Sequence, residues 1–83
     1  MTYFVYILLC SDNTYYTGCT NNLDRRLKEH NNSKKGAHYT KIRRPVKLVY
    51  KKEFKILKNA RRREKEIKNW TRERKKALLK EFE

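Results

Sequence analysis

The stretch Tyr3-Phe4-Val5-Tyr6-Ile7-Leu8-Leu9 decides how this chain folds. It is β-branched and aromatic, with no polar residue to mark a solvated face. A strand that is apolar on both sides belongs at the centre of a sheet. Ser11-Asp12-Asn13 follows as a turn cluster. Thr14-Tyr15-Tyr16-Thr17-Gly18-Cys19 then returns to strand composition, with Gly18 near its end. Two such runs around a short turn predict an antiparallel hairpin.

Beyond the hairpin the pattern becomes helical. Asn21 or Asn22 is expected to cap a helix reaching about His30, with Asp24 in its first turn and Leu23 and Leu27 facing inward. A polar loop, Asn31 to Gly36, leads into an irregular basic segment that Pro45 ends. Val46-Lys47-Leu48-Val49-Tyr50 alternates like a half-buried strand. From Ile56 to Trp70 the helical period returns, placing Leu57, Ala60, Glu64 and Ile67 on one stripe. Thr71 is positioned to cap a last helix with Ala77, Leu78 and Phe82 inside. The order is β-β-α-β-α-α, an α+β fold, with residues 1–83 expected to form one domain.

Size and charge narrow the function. A chain of 83 residues buries only ~60% of its unfolded surface. That excludes a two-lobed enzyme with an enclosed chamber and leaves a shallow surface groove. There are 23 Lys and Arg against 9 Asp and Glu, a net charge of +14. The excess is spread along the chain: nine against three in residues 1–50, fourteen against six in residues 51–83. A polyanionic partner, nucleic acid, is the expectation. Cys10 and Cys19 lack zinc or redox spacing and read as free thiols, with a disulfide between adjacent strands as the alternative. The apolar start is too short to span a membrane, so a cytoplasmic location with no membrane partner is expected.

Three groups of residues carry possible chemistry. Tyr6 and Tyr16 fall on strands expected to pair. A phenol acts as a base only where cations lower its pKa, and otherwise it is core. Arg26 and His30, at i and i+4, flank the apolar face of the first helix, where an arginine can present its donor fork to phosphate. Glu64 is the only acid on its helix's apolar stripe, while Glu66 projects away. An inward carboxylate needs an ion pair, for instance with Arg26, or a hard divalent cation. Lys34, Lys35, His38, Lys41, Arg43 and Arg44 form a basic loop expected to contact the nucleic acid.

Val5-Tyr6-Ile7, Tyr16-Thr17-Gly18 and Asn22-Leu23-Asp24-Arg25-Arg26-Leu27-Lys28-Glu29-His30, in that order, resemble the GIY-YIG nuclease superfamily. The closest likeness is to its small, single-domain, URI-type bacterial branch. The resemblance continues through Ala60-Arg61-Arg62-Arg63-Glu64-Lys65-Glu66-Ile67-Lys68, similar to the family's metal-binding helix. Phe4-Val5-Tyr6 stands where the family has Gly-Ile-Tyr, and Thr17 replaces the central Ile of the second element. The resemblance implies a three-stranded antiparallel sheet flanked by helices. It further implies hydrolysis of DNA phosphodiester bonds in DNA repair or processing, with one Mg²⁺ or Mn²⁺ and no small-molecule cofactor. Tyr6 or Tyr16 would help deprotonate water, Arg26 would stabilise phosphate charge, and His30 would orient a tyrosine or relay a proton. Glu64 would hold the metal, with Glu66 as the competing ligand, and His38 matches a further polar position. A nucleic-acid binding module of the same fold without catalysis is the alternative.

Overall fold

In the computed structural model, which describes residues 1–82, β1 (Tyr3–Leu9) is the middle strand of a three-stranded sheet. It pairs antiparallel with β2 (Tyr15–Thr20) on one side and β3 (Lys47–Phe54) on the other. Helix α1 (Leu23–Asn32) and the single turn α2 (His38–Lys41) follow the hairpin, and α3 (Leu57–Lys68) and α4 (Arg72–Phe82) follow β3. None of the described helices is long and apolar enough to cross a membrane.

The two-sided apolarity of β1 explains the layering. Val5 and Ile7 point to one side, where Tyr50, Ala60 and Ile67 complete a buried cluster beneath α3 and α4. Tyr6 and Leu8 point to the other, packing with Cys10, Val46, Leu23 and Leu27 beneath α1 and α2. Both cysteines are free thiols.

Local signals set most boundaries. Asp12 accepts from the Thr14 amide at 3.2 Å and its hydroxyl at 2.6 Å, while Asn13 takes a left-handed φ of 66° to close the β1–β2 turn. Asn22 caps α1, accepting from the Arg25 amide at 3.1 Å, and Thr71 caps α4 in the same way from Arg74 at 3.3 Å.

Several expectations are corrected. Residues 38–41 form a helical turn where an irregular segment was expected, and β3 runs on to Phe54, past Tyr50. A register shift opposite Ile7 and Leu8 makes Val49 a bulge. Leu57 is 37% exposed, because it borders an open cleft beside Tyr3, Cys19 and Arg61 instead of closing the core. On α4, Leu78 and Leu79 pack inward, whereas Ala77 is exposed and Phe82 is 49% exposed.

Thr17 stands opposite Ile7 and is buried, and its Oγ1 has no hydrogen-bond partner among the described residues. A buried unpaired hydroxyl costs about 1–3 kcal/mol. Thr17→Val, which keeps the shape, is therefore expected to raise the melting temperature by about 4–8 °C. Thermal unfolding followed by circular dichroism checks this, and an unchanged or lower midpoint would mean that the hydroxyl is satisfied in solution.

Candidate active site

Tyr6 lies directly opposite Gly18 across the β1–β2 ladder. A Cβ at position 18 would sit 2.4 Å from the Tyr6 hydroxyl and 2.5 Å from its Cζ. The absence of a side chain is what lets the phenol lie over β2 toward α1. There the Tyr6 hydroxyl meets His30 Nε2 at 2.8 Å. His30 Nδ1 is 2.8 Å from Thr40 Oγ1, and Thr40 Oγ1 donates to the Ala37 carbonyl at 2.9 Å.

The direction of this chain follows from its last link. Thr40 has one proton, committed to Ala37, so it accepts from His30 Nδ1–H. Nε2 is then the bare nitrogen and accepts from the Tyr6 hydroxyl. The tautomer is thus assigned by the network. Tyr6, His30 and Thr40 are all buried to within 1%. Burial, reinforced by the Arg26 and Arg44 cations, lowers the His30 pKa to about 4 against a weaker opposing effect of Glu29. The imidazole is neutral at pH 7. Burial also pushes the Tyr6 phenol above its ordinary range, with Tyr16 and Glu64 adding to the rise and Arg26 opposing it.

Arg26 stands one turn before His30 and is held at one end. Its Nη1 donates to Glu29 at 3.0 Å and to the Lys35 carbonyl at 2.8 Å. Burial works against the cation, but Glu29, Tyr6 and Tyr16 outweigh it and raise its pKa. The anchored guanidinium sits beside both tyrosines. Tyr16 is half-buried, its ring centroid 5.0 Å from His30 and 6.0 Å from Tyr39. Tyr6, Tyr16, Arg26 and His30, spread over the first 30 residues of the chain, therefore meet at one place.

Glu64 approaches from α3 on the other side of the sheet. Its charge raises the Cys19 thiol, after burial, and contributes to the rise at Tyr6. It does not pair with Arg26: its ion-pair partner is Lys68, at 3.1 Å. Glu66 faces outward, 52% exposed and 3.7 Å from Arg63. Among the described residues no three His, Cys, Asp or Glu side chains cluster to enclose an ion. One carboxylate, 19% exposed and engaged through a single oxygen, suits a hard cation that keeps most of its waters and takes phosphate oxygens as further ligands. Glu64 thus fits such an ion.

The basic loop divides. Lys34, Lys35, His38 and Lys41 are exposed. Arg43 and Arg44 are half-buried and engaged within the fold. Arg43 donates to Asp12 at 2.9 Å and to the Tyr39 carbonyl at 3.0 Å, and stacks 3.8 Å over the Tyr39 ring. Arg44 donates to the carbonyls of His30 at 2.6 Å, Glu29 at 3.1 Å and Ser33 at 2.5 Å. It braces the end of α1 that carries His30, adding side-chain donors to the Glu29 and Ser33 carbonyls that the Ser33 and Gly36 amides already reach. Thr40 had no sequence signal: a lone threonine in a basic run lacking periodicity is silent until His30 is seen above it.

The family description "GIY-YIG catalytic domain" matches residues 2–77. This chain belongs to the GIY-YIG family. A UPF0213 protein of Desulfotalea psychrophila is 49% identical over 81 residues, covering 98% of this chain and 74% of that one. The solution NMR structure of a UPF0213 protein from Bacillus halodurans is 44% identical and superposes with a TM-score of 0.63 over 96% of this chain and 84% of its own. An E. faecalis protein solved by NMR is 39% identical with a TM-score of 0.69, covering 99% of this chain and 86% of that one. Within the GIY-YIG pattern, Gly18 is the glycine of the second element, and the close approach of the Tyr6 phenol is the reason it must be glycine here.

Proposed function

We propose that this GIY-YIG chain is a divalent-metal-dependent nuclease that hydrolyses DNA phosphodiester bonds. The observation that carries the reading is the buried Tyr6–His30–Thr40 hydrogen-bond chain, with its anchored arginine and a second, half-buried tyrosine above it. A purely structural tyrosine does not need a neutral histidine aimed at its hydroxyl and a guanidinium beside it.

The residues divide the work by exposure. Tyr6 is 1% exposed and its proton is committed to His30. It orients and does not meet water. Tyr16 lies at the surface of the same cluster, close to the Arg26 cation, and its hydroxyl oxygen takes the proton from the attacking water as its own hydroxyl proton passes to bulk solvent. Arg26 Nη1 is held by Glu29 and Lys35, leaving its remaining donors for the phosphate as negative charge builds. Glu64 would hold the metal ion. When bound, such an ion supplies positive charge to the scissile phosphate and the leaving oxygen. Lys34, Lys35, His38 and Lys41 contact the flanking backbone.

The experiment is cleavage of labelled single-stranded, duplex and branched DNA with Mg²⁺ or Mn²⁺. Glu64→Ala is expected to abolish cutting while binding persists, and Arg26→Ala to cost about 10²–10³-fold. Tyr16→Phe should lose about 10²–10⁴-fold in rate, more than Tyr6→Phe. A larger loss in Tyr6→Phe, with the fold intact, would reverse the two tyrosines' roles. Binding of every DNA with no cutting in either metal would leave a nucleic-acid binding module.

A further inference from the structure

The α3–α4 turn carries a second guanidinium–aromatic cluster, which plays no part in the reaction above. Trp70, the only tryptophan in the chain, is half-buried against the Val5–Ile7–Tyr50 cluster. The guanidinium carbon of Arg63 lies 4.8 Å from its ring centroid and that of Arg74 lies 4.2 Å away. Arg63 reaches an acid only at 3.7 Å, on Glu66, and Arg74 forms no ion pair among the described residues. With Ala77, Leu78 and Glu81 these three side chains line an open cleft of about 260 Å³. Arg62 and Lys76, exposed on the same two helices, add positive charge, whereas Arg72 is engaged by the Asn13 carbonyl and the Tyr15 ring.

An aromatic floor between cations suits unpaired nucleic acid, because every base has a π-face and every phosphate a charge. A duplex keeps its base faces inside the stack and offers only phosphates. A base stacked on indole is held more strongly than an exposed guanidinium, which can turn to an adjoining phosphate instead. The exchange therefore favours the strand. We infer that this cleft takes one unpaired base over Trp70, with Arg63 and Arg74 on the flanking phosphates. The inference rests on the reading of the chain as a nucleic-acid enzyme. It deepens that reading by assigning a single-strand contact on the side of the sheet opposite Tyr6 and His30.

Trp70 is its own reporter. The intact protein, in EDTA so that nothing is cut, is titrated with a short labelled oligothymidylate and with a duplex of equal length. Anisotropy and tryptophan emission are followed together. The expected result is that the single strand quenches Trp70 along the same isotherm as the anisotropy, while the duplex binds without quenching. Loss of two phosphate contacts in the double variant Arg63→Gln, Arg74→Gln should flatten the slope of log affinity against log salt by about 1.4 for the single strand. Single-strand binding with unchanged emission overturns the assignment and leaves the nuclease reading standing, as does an unchanged slope in a variant with native circular dichroism. Absence of binding to either DNA overturns both.

Discussion

Gly18→Ala is expected to destabilise the fold by about 3 kcal/mol or more and to lower cleavage at least as far as Tyr6→Phe. The backbone at Gly18 has a negative φ, so left-handed geometry is not the issue. Space is: the added methyl would lie 2.4 Å from the Tyr6 oxygen and 3.0 Å from Cε1. The phenol has no free volume to retreat into, since Tyr6 is 1% exposed and its hydroxyl is bonded to a fully buried histidine. Either the strands separate, or Tyr6 swings away and leaves its hydroxyl and His30 Nε2 unpaired in the interior. Each orphaned group costs about 1–3 kcal/mol, against a total stability of about 4–12 kcal/mol for a domain of this size. Urea denaturation measures the loss. Combining Gly18→Ala with Tyr6→Phe removes the closest clashing atom, so the double variant should be more stable than the sum of the single changes predicts. Strict additivity, or a Gly18→Ala protein as stable as the parent, would show that the contact does not constrain the site.

This pair also shows what was legible beforehand. That Tyr6 and Gly18 belong to one constellation could be read from the order of the motifs. That one requires the other could not, because cross-strand register depends on the turn and a slip of one residue reverses every side chain. The central position of β1 followed from its two apolar faces, and a cap at Asn21 or Asn22 from local chemistry, the structure placing it at Asn22. Both are properties of neighbours in sequence. What escaped depends on distant contact. Arg44 read as part of a phosphate-binding run, yet its donors brace a helix that ends a dozen residues earlier. Leu57 shares a stripe with Ala60 and Ile67, but a stripe does not reveal which of its positions the sheet covers fully. Glu64 on that stripe pairs with Lys68, four residues on, and not with Arg26 across the sheet. The site residues with intrinsic chemical signatures were visible, whereas Thr40 and Arg44, which only hold them, were not.

Acidification is expected to weaken the fold by about 3 kcal/mol between pH 6.5 and pH 4, through His30. Its pKa of about 4 in the folded chain lies below the ordinary 6.5. The unfolded chain therefore takes up the proton first as pH falls. The contribution is complete above pH 6.5 and fades as pH drops through the folded value. Exposure does not discount it, because His30 is 0% exposed. Asp12 and Glu29, whose carboxyl pKa values are lowered first by the Thr14 and Arg26 hydrogen bonds respectively, add their losses below the ordinary carboxylate range, after His30 has begun. Urea unfolding at pH 7, 5.5 and 4.5 gives the slope, and the His30 ring signal in NMR should stay that of the neutral form down to about pH 5. A His30 signal titrating near 6.5, or stability that is flat across this window, would contradict the assigned network. The same neutrality bears on catalysis. An imidazole that remains uncharged keeps accepting from Tyr6 throughout, so the cleavage rate should show no limb near pH 6.5.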